Sequence, residues 1–343
     1  MPVPAATLTI SVESWFLRNQ RPLPWRAGYD PYLVWVSEVM LQQTRMEVVL
    51  RYFGAFIDRF PTLGALAAAS DEEVLTLWSG LGYYRRARML AAGAREVVAR
   101  FGGAIPHEVT ALQSIPGIGR YTAGAIASIA FGQRAPIVDG NVARVLARVF
   151  AIAEPVGSPR LMAAAWQHAA ALVEASADPR SLNQGLMEIG ALVCTPQKPD
   201  CPRCPLRHSC AARAAGREQA LPLPKTKRVT RKMVVPLYLI GDGAGRFLMR
   251  RESGGLMTSM FHLPHGSTDL LPGMLDGVIE RELIGSFRHT ITTRNVEFVV
   301  HRATLLDRIA DSDGHYTWVH PSDLRNLPHP SYVAKAMRLT ITG

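Results

Sequence analysis

From the first residues to about position 213, apolar side chains recur every three or four residues, as at Leu33, Val36, Met40 and Leu41. That interval lines one face of an α-helix. Helix ends are signposted. Ser70 with Glu73 reads as a capping box, and Gly80 and Gly82 suit a C-terminal stop. Pro31, Pro61, Pro106, Pro116 and Pro136 punctuate the pattern at loop positions. Between 214 and 232 the pattern breaks. Pro222 and Pro224 interrupt any helix, and Lys225, Lys227, Arg228, Arg231 and Lys232 form a basic run, read as a solvated linker able to lie along a phosphate backbone. From 233 to 343 the runs become short and β-like: Val234 to Ile240, Phe247 to Met249 and Val296 to Val300, with Gly241 to Gly245 as a hairpin turn. The expected architecture is a mainly α N-terminal domain over 1–213, a basic linker over 214–232 and an α+β domain over 233–343. There is no internal repeat.

Length and charge agree with this division. The 343 residues exceed what one core usually supports, and 38 Lys plus Arg against 28 Asp plus Glu leave a formal charge of +10. Such a surplus suits a polyanionic partner, although a basic protein can be merely soluble. The longest apolar stretch, Tyr121 to Gln133, falls short of the roughly 20 residues of a spanning helix, so no membrane is expected. Glu13 inside the first apolar run argues against a secretory signal. The expectation is a cytoplasmic protein, in which cysteines serve as metal ligands or buried thiols rather than disulfides.

All four cysteines, Cys194, Cys201, Cys204 and Cys210, fall within one 17-residue window, spaced C-x6-C-x2-C-x5-C. Structural zinc usually takes two close pairs, whereas one pair flanked by wider gaps suits a 4Fe–4S cube, whose irons each take one thiolate. Ligand chemistry favours the cube and leaves zinc and unligated thiols open. The spacing resembles the cluster loop of the endonuclease III-like, helix-hairpin-helix DNA glycosylases. The resemblance implies a 4Fe–4S loop over 194–210 that shapes a basic DNA-touching surface, with Lys198 at a contact position.

Leu112 to Gly124 reads LQSIPGIGRYTAG. A tight Pro116–Gly119 turn that opens a helix directs backbone N–H groups outward, a phosphate grip indifferent to base sequence. Many such turns only connect helices, but the string resembles the hairpin of that superfamily, with Gly117 and Gly119 at the phosphate. Further on, Asp139 reads as an N-cap for a helix from Val142 to Phe150. The resemblance implies that Asp139 is also the catalytic aspartate, oriented by Asn141. Tyr121 occupies the position where strand-cutting members carry a lysine that attacks the sugar. A phenol cannot form that Schiff base, so a monofunctional enzyme is implied.

The segment Trp35 to Thr44, WVSEVMLQQT, read as a helix, puts Glu38 and Gln42 one turn apart with Met40 and Leu41 turned toward the core. An isolated glutamate is usually solvated. This segment, however, is similar to that of the adenine DNA glycosylase family, where the matching glutamate is the general acid. Adenine leaves poorly as an anion, and a carboxylic acid in an apolar pocket could protonate its ring while Asp139, ionised, stabilises the oxocarbenium-like sugar. By the same resemblance Trp25, Arg26, Leu41 and Gln184 line the pocket of an extruded adenine. Gln42, Gln43, Thr44 and Tyr83 fill the vacated stack or hold the opposite base. Trp25 and Tyr83 read equally well as aromatic core. The implied partner is double-stranded DNA with adenine opposite 8-oxoguanine or guanine, met by a monomer of bacterial type at the nucleoid.

Residues 233 to about 340 resemble, more faintly, the Nudix-like domain with which that family inspects oxidised guanine. Gly255-Leu256 to Leu263-Pro264 matches its entering strand. Arg281-Glu282 would start a metal box, but Gly285 and Ser286 stand where two glutamates are needed, so neither Mg²⁺ binding nor nucleotide hydrolysis is expected. Phe287-Arg288-His289 stands where a Phe-Ser-His lesion-reading loop is common, with His289 as the reader. Rival readings are a thymine or other mismatch glycosylase of the same fold, and a damage-binding protein without catalysis. Glu38 and Asp139 together argue against the second.

Overall fold

The computed structural model describes residues 4–225, 231–252, 259–265, 278–291, 294–305 and 315–339. Its helices are α1 (Ala5–Asn19), α2 (Pro31–Leu41), α3 (Met46–Arg59), α4 (Leu63–Ala68), α5 (Asp71–Leu77), α6 (Arg85–Phe101), α7 (Val109–Gln113), α8 (Arg120–Ala125), α9 (Gly140–Val149), α10 (Pro159–Glu174), α11 (Pro179–Leu192) and α12 (Ala211–Ala214), with α13 (Ser331–Leu339) near the C-terminus. The chain divides into two compact units that interleave in sequence. One comprises 1–43, 62–67 and 92–227; the other comprises 44–61, 68–91 and 228–343. The sequence pattern, read linearly, placed one linker over 214–232 between two continuous domains, 1–213 and 233–343. Partly buried hydrogen bonds between distant segments of one unit explain part of the difference. In the second unit the Tyr84 hydroxyl donates to the His329 carbonyl at 2.9 Å, and Ser79 donates to the same oxygen at 3.2 Å.

In the first unit the apolar stripes of α1, α9, α10 and α11 form one core around Val142, Leu146, Leu172, Leu182, Leu186 and Ile189. Two glycines of α11 permit the approach. A Cβ on Gly185 would lie 2.6 Å from Val12 Cγ1, and one on Gly190 would lie 2.7 Å from Asn141 Cβ and 3.0 Å from its carbonyl carbon. Backbone cannot yield as a flexible side chain can, so Gly190→Ala is expected to destabilise the protein by about 1–3 kcal/mol, read as a lowered denaturant midpoint. The stretch taken for a solvated linker is partly fastened to this unit. Leu221 is buried, its carbonyl accepts from Arg148 Nε at 2.8 Å, and Leu223 bridges to Pro155. An apolar side chain inside a polar run supplies the anchor. Lys227 and Arg228 lie outside the described residues.

Among the described residues the second unit carries two sheets. In the first, β1 (Arg231–Ile240) runs parallel to β5 (Arg294–Leu305), which runs antiparallel to β4 (Val278–Ile291). In the second, β2 (Phe247–Arg251) lies between β3 (Phe261–His262) and β6 (Tyr316–Val319). Alternate residues Val235, Leu237 and Leu239 of β1 and Val296, Phe298 and Val300 of β5 face one core with Met249, Leu263 and α13 residues Tyr332, Val333 and Ala336. The Gly241–Gly245 hairpin turn is present: Asp242 Oδ1 accepts from the Ala244 and Arg246 amides, the Asp242 amide donates to the Arg246 carbonyl at 3.1 Å, and Gly241 bridges antiparallel to Phe247, beyond which β1 and β2 run on in different sheets. Glu282, Gly285 and Ser286 lie in β4, with register shifts on either side of Leu283, so the position matched to a metal box is strand. Phe287-Arg288-His289 is likewise strand rather than loop, because Phe287 pairs with Phe298 across the ladder. Gly255 and Leu256 lie outside the described residues, as does the Arg281 side chain.

Candidate active site

Helix α2 starts at Pro31, and Asp30 caps it by accepting from the amides of Tyr32 at 2.8 Å and Leu33 at 3.0 Å. Because α2 is buried on nearly all sides, Glu38 is only 5% exposed, not solvated. Burial raises its carboxyl to about 7, with the Asp139 charge adding to the rise; a hydrogen bond from Tyr121 and the Arg26 charge oppose it. The helix does not run through Thr44 as the sequence pattern suggests. It stops at Leu41, and Gln43 adopts a left-handed φ of 57°. The turn directs Gln42 to Thr122, whose hydroxyl accepts from Nε2 at 3.3 Å. Met40 is fully buried and Leu41 half-buried.

The Pro116–Gly119 turn is held from beneath by buried Leu112, Ile115 and Ile118 and requires φ +82° at Gly117. Gly119 N-caps α8, which delivers Tyr121 to Glu38; the hydroxyl donates to Glu38 Oε2 at 2.6 Å. Tyr121 is pushed well above the ordinary phenol range, first by burial and then by the Glu38 and Asp139 charges. A phenol so protected stays a proton donor. α8 continues into a π-turn over Ile126–Ala130, which Asn183 secures by donating to Ser128 Oγ and the Ala135 carbonyl, both at 2.8 Å.

Asp139 caps α9 as expected, with Oδ1 accepting from the Val142 amide at 2.7 Å and Oδ2 from Asn141 Nδ2 at 3.1 Å. Burial raises its carboxyl too, but the Val142 and Asn141 hydrogen bonds and the Arg144 charge pull it back. The two carboxyls therefore meet different surroundings. Glu38 has one phenolic donor in an apolar cage, and Asp139 has donors aimed at both oxygens. That asymmetry favours a neutral Glu38 beside an ionised Asp139. The sequence reading missed Arg144. Its Nη2 donates to Asn141 Oδ1 and to the Gly190 carbonyl, both at 2.8 Å, and its Nε donates to the Cys194 carbonyl at 2.8 Å.

Trp25 and Arg26 sit on a short 3-10 turn, Pro24–Arg26, with Trp25 buried. Arg26 Nε donates to Gln184 Oε1 at 2.8 Å, which fixes the amide orientation because a guanidinium can only donate. Arg26 also pairs with Glu188 at 2.8 Å, a buried carboxylate shared with Arg21 at 2.9 Å. Neither Arg21 nor Glu188 was singled out from the sequence. The i, i+4 spacing of Gln184 and Glu188 was the available signal.

Within the second unit, Thr44 and Tyr83 are linked through Arg86. Its Nη2 donates to Thr44 Oγ1 and the Gly82 carbonyl, both at 3.1 Å, and its guanidinium lies over the Trp78 and Tyr83 rings. Tyr83 is 49% exposed at φ +50°, so it is not ordinary core. His289 lies beside Lys335, whose Nζ is 3.5 Å from its Nδ1; burial and that charge hold the imidazole below its usual range, neutral at pH 7.

The four cysteines line one cavity with Val145, Arg148, Val193 and Leu206. Burial and the other three sulfurs push Cys204 to about 12, and burial pushes Cys201 and Cys210 up as well, so these three thiols resist becoming thiolates without added positive charge. Buried Arg148 supplies some, donating from Nη1 to Cys194 Sγ at 3.2 Å and to the Thr195 carbonyl at 2.8 Å. Among the described residues, no three His, Cys, Asp or Glu side chains converge on one point as a single ion requires. Lys198 is exposed at the loop surface.

The helical unit and its hairpin define an endonuclease III-like fold, and residues 36–169 match the HhH-GPD superfamily of base excision DNA repair proteins. A solved thermostable thymine-DNA glycosylase superposes with TM-score 0.54 at 28% identity, over 62% of this chain and 97% of that one. An endonuclease III trapped as a covalent DNA intermediate gives 0.52 at 21% identity over 62% and 99%, a likeness of fold alone. Two relatives narrow the class. The adenine DNA glycosylase of Buchnera aphidicola subsp. Acyrthosiphon pisum (strain APS) is 33% identical over 254 residues, 74% of this chain and 72% of that protein. The Homo sapiens adenine DNA glycosylase is 49% identical over 220 residues, 62% of this chain and 40% of that protein. The chain belongs to the adenine DNA glycosylase family. It spans about two fifths of the length of its mammalian relatives.

Proposed function

We propose that this protein is a monofunctional adenine DNA glycosylase that hydrolyses the N-glycosidic bond of adenine opposite 8-oxoguanine, or guanine, in double-stranded DNA. The observation that carries the reading is Glu38, buried, titrating near 7 and hydrogen-bonded by Tyr121 beside the Asp139 charge. Adenine turned out of the duplex receives the Glu38 proton on a ring nitrogen as the glycosidic bond breaks. Asp139 stabilises the positive charge developing on the sugar, and water completes hydrolysis. With Tyr121 in place of an attacking lysine, the strand stays intact. Arg26, Gln184, Trp25 and Leu41 receive the purine. Gln42, Gln43, Thr44 and Tyr83 act at the vacated stack and the opposite base, while Gly117, Gly119 and Lys198 meet phosphates.

Four cysteines that line one cavity, with one close pair flanked by wider gaps, suit a 4Fe–4S cluster better than zinc. Cys194, Cys201, Cys204 and Cys210 would hold it, and a cluster bound there would fix the shape of the loop that carries Lys198. The C-terminal unit, two sheets sharing a core with α13, acts on this reading as a Nudix-like inspection domain in which Arg288 and neutral His289 touch the oxidised base.

Single-turnover assays on duplexes with A or T opposite 8-oxoguanine or guanine test the reading. Adenine is expected to leave, with strand scission only after alkali, from protein carrying about four irons per chain. Release of thymine alone would end the adenine reading, and scission without alkali would end the monofunctional one.

A further inference from the structure

Glu188 is 1% exposed at its side chain and carries two guanidinium partners. Both oxygens face Arg21 Nε, at 3.1 and 2.9 Å, and Oε1 also meets Arg26 Nη1 at 2.8 Å. Arg26 is held at three further points: Nε on Gln184 Oε1 at 2.8 Å, Nη1 on the Arg21 carbonyl at 3.0 Å, and the guanidinium over the Phe16 ring at 5.1 Å. Buried ion pairs add little net stability because desolvation offsets attraction, so a buried carboxylate between two arginines is better read as fixing a geometry. Among the described residues, Arg26 Nη2 has no hydrogen-bond partner, so one end of the guanidinium is left over for a ligand.

We infer that Glu188 is the positioning residue of the purine pocket, clamping Arg26 against Gln184 so that its free end serves the base and its charge does not pair with Glu38. The inference rests on the glycosylase reading. Three charged or titratable groups act on Glu38: Tyr121 from α8, Asp139 at the start of α9, and Arg26 from the 3-10 turn, whose cation already favours ionisation of Glu38. A guanidinium deprived of Glu188 repels Arg21 and moves toward the remaining carboxylates. Paired with Glu38, it would strip the proton that adenine needs.

Carboxyl titration of Glu38 by NMR in the full chain without DNA, assigned by Glu38→Gln, reads this directly. Glu188→Gln is expected to lower the Glu38 midpoint by about 1 pH unit, and the alkaline limb of single-turnover adenine release with it. The double variant Glu188→Gln/Arg26→Gln, lacking the freed cation, should titrate at or above the wild-type midpoint. An unchanged midpoint in Glu188→Gln, or a double variant lowered like the single one, overturns the inference. If the single variant does not fold, a double variant titrating below wild type overturns it alone. Wild-type protein that releases no adenine while the midpoints move as stated refutes the glycosylase reading and leaves the clamp standing.

Discussion

Glu38→Gln is expected to slow single-turnover adenine release by about 10²–10⁴-fold while leaving affinity for the uncleaved duplex unchanged, because an amide fills the same space but has no proton to give. On the proposed mechanism release requires protonated Glu38, so the wild-type rate should be level in acid and fall as pH rises through about 7. The variant should lose that limb. The same group predicts a stability signature. Its folded midpoint, about 7, lies above the unfolded value near 4.5, so the native state binds the extra proton between those pH values. Wild-type stability should therefore fall across that window as pH rises, whereas Glu38→Gln is spared the penalty. The melting-temperature difference, variant minus wild type, should grow more positive from pH 4.5 to 7. A flat difference would mean that Glu38 is not held in an apolar cage.

Asp139→Asn is expected to reduce release by about 10²–10³-fold with near-wild-type melting, since asparagine caps a helix as well as aspartate but carries no charge to oppose an oxocarbenium. Asp139→Ala should lose comparable activity and additionally about 0.5–2 kcal/mol of stability, because the Val142 amide then has no cap. The pair separates electrostatics from scaffolding. Equal activity in Asp139→Asn and wild type would remove the aspartate from the mechanism, and equal melting of the two variants would remove it from the cap.

Much of the fold was legible because it rests on local rules. The Ser70 capping box, the Asp139 cap, the hairpin turn at Gly117 and the alternating cores of β1 and β5 follow from side-chain chemistry within a few residues. The four-cysteine spacing was equally local. What the pattern misjudged involved partners distant in sequence. The end of α2 at Leu41, the Leu221 anchor and the assignment of β1 and β2 to different sheets depend on residues tens to hundreds of positions away.

The amino-acid order alone determined which groups could do chemistry here: two carboxyls, a phenol in place of an amine, and four thiols in one loop. Only the tertiary structure decided their states. A carboxyl is acid or anion according to its solvation, and α2 meets α8 and α9, which lie some eighty to one hundred residues further along the chain, to exclude water from Glu38 while Asp139 is armed with N–H donors. The same folding brought Glu188 onto Arg21 and Arg26 across more than 160 positions, a pairing that periodicity cannot express because it acts through space and not along the chain.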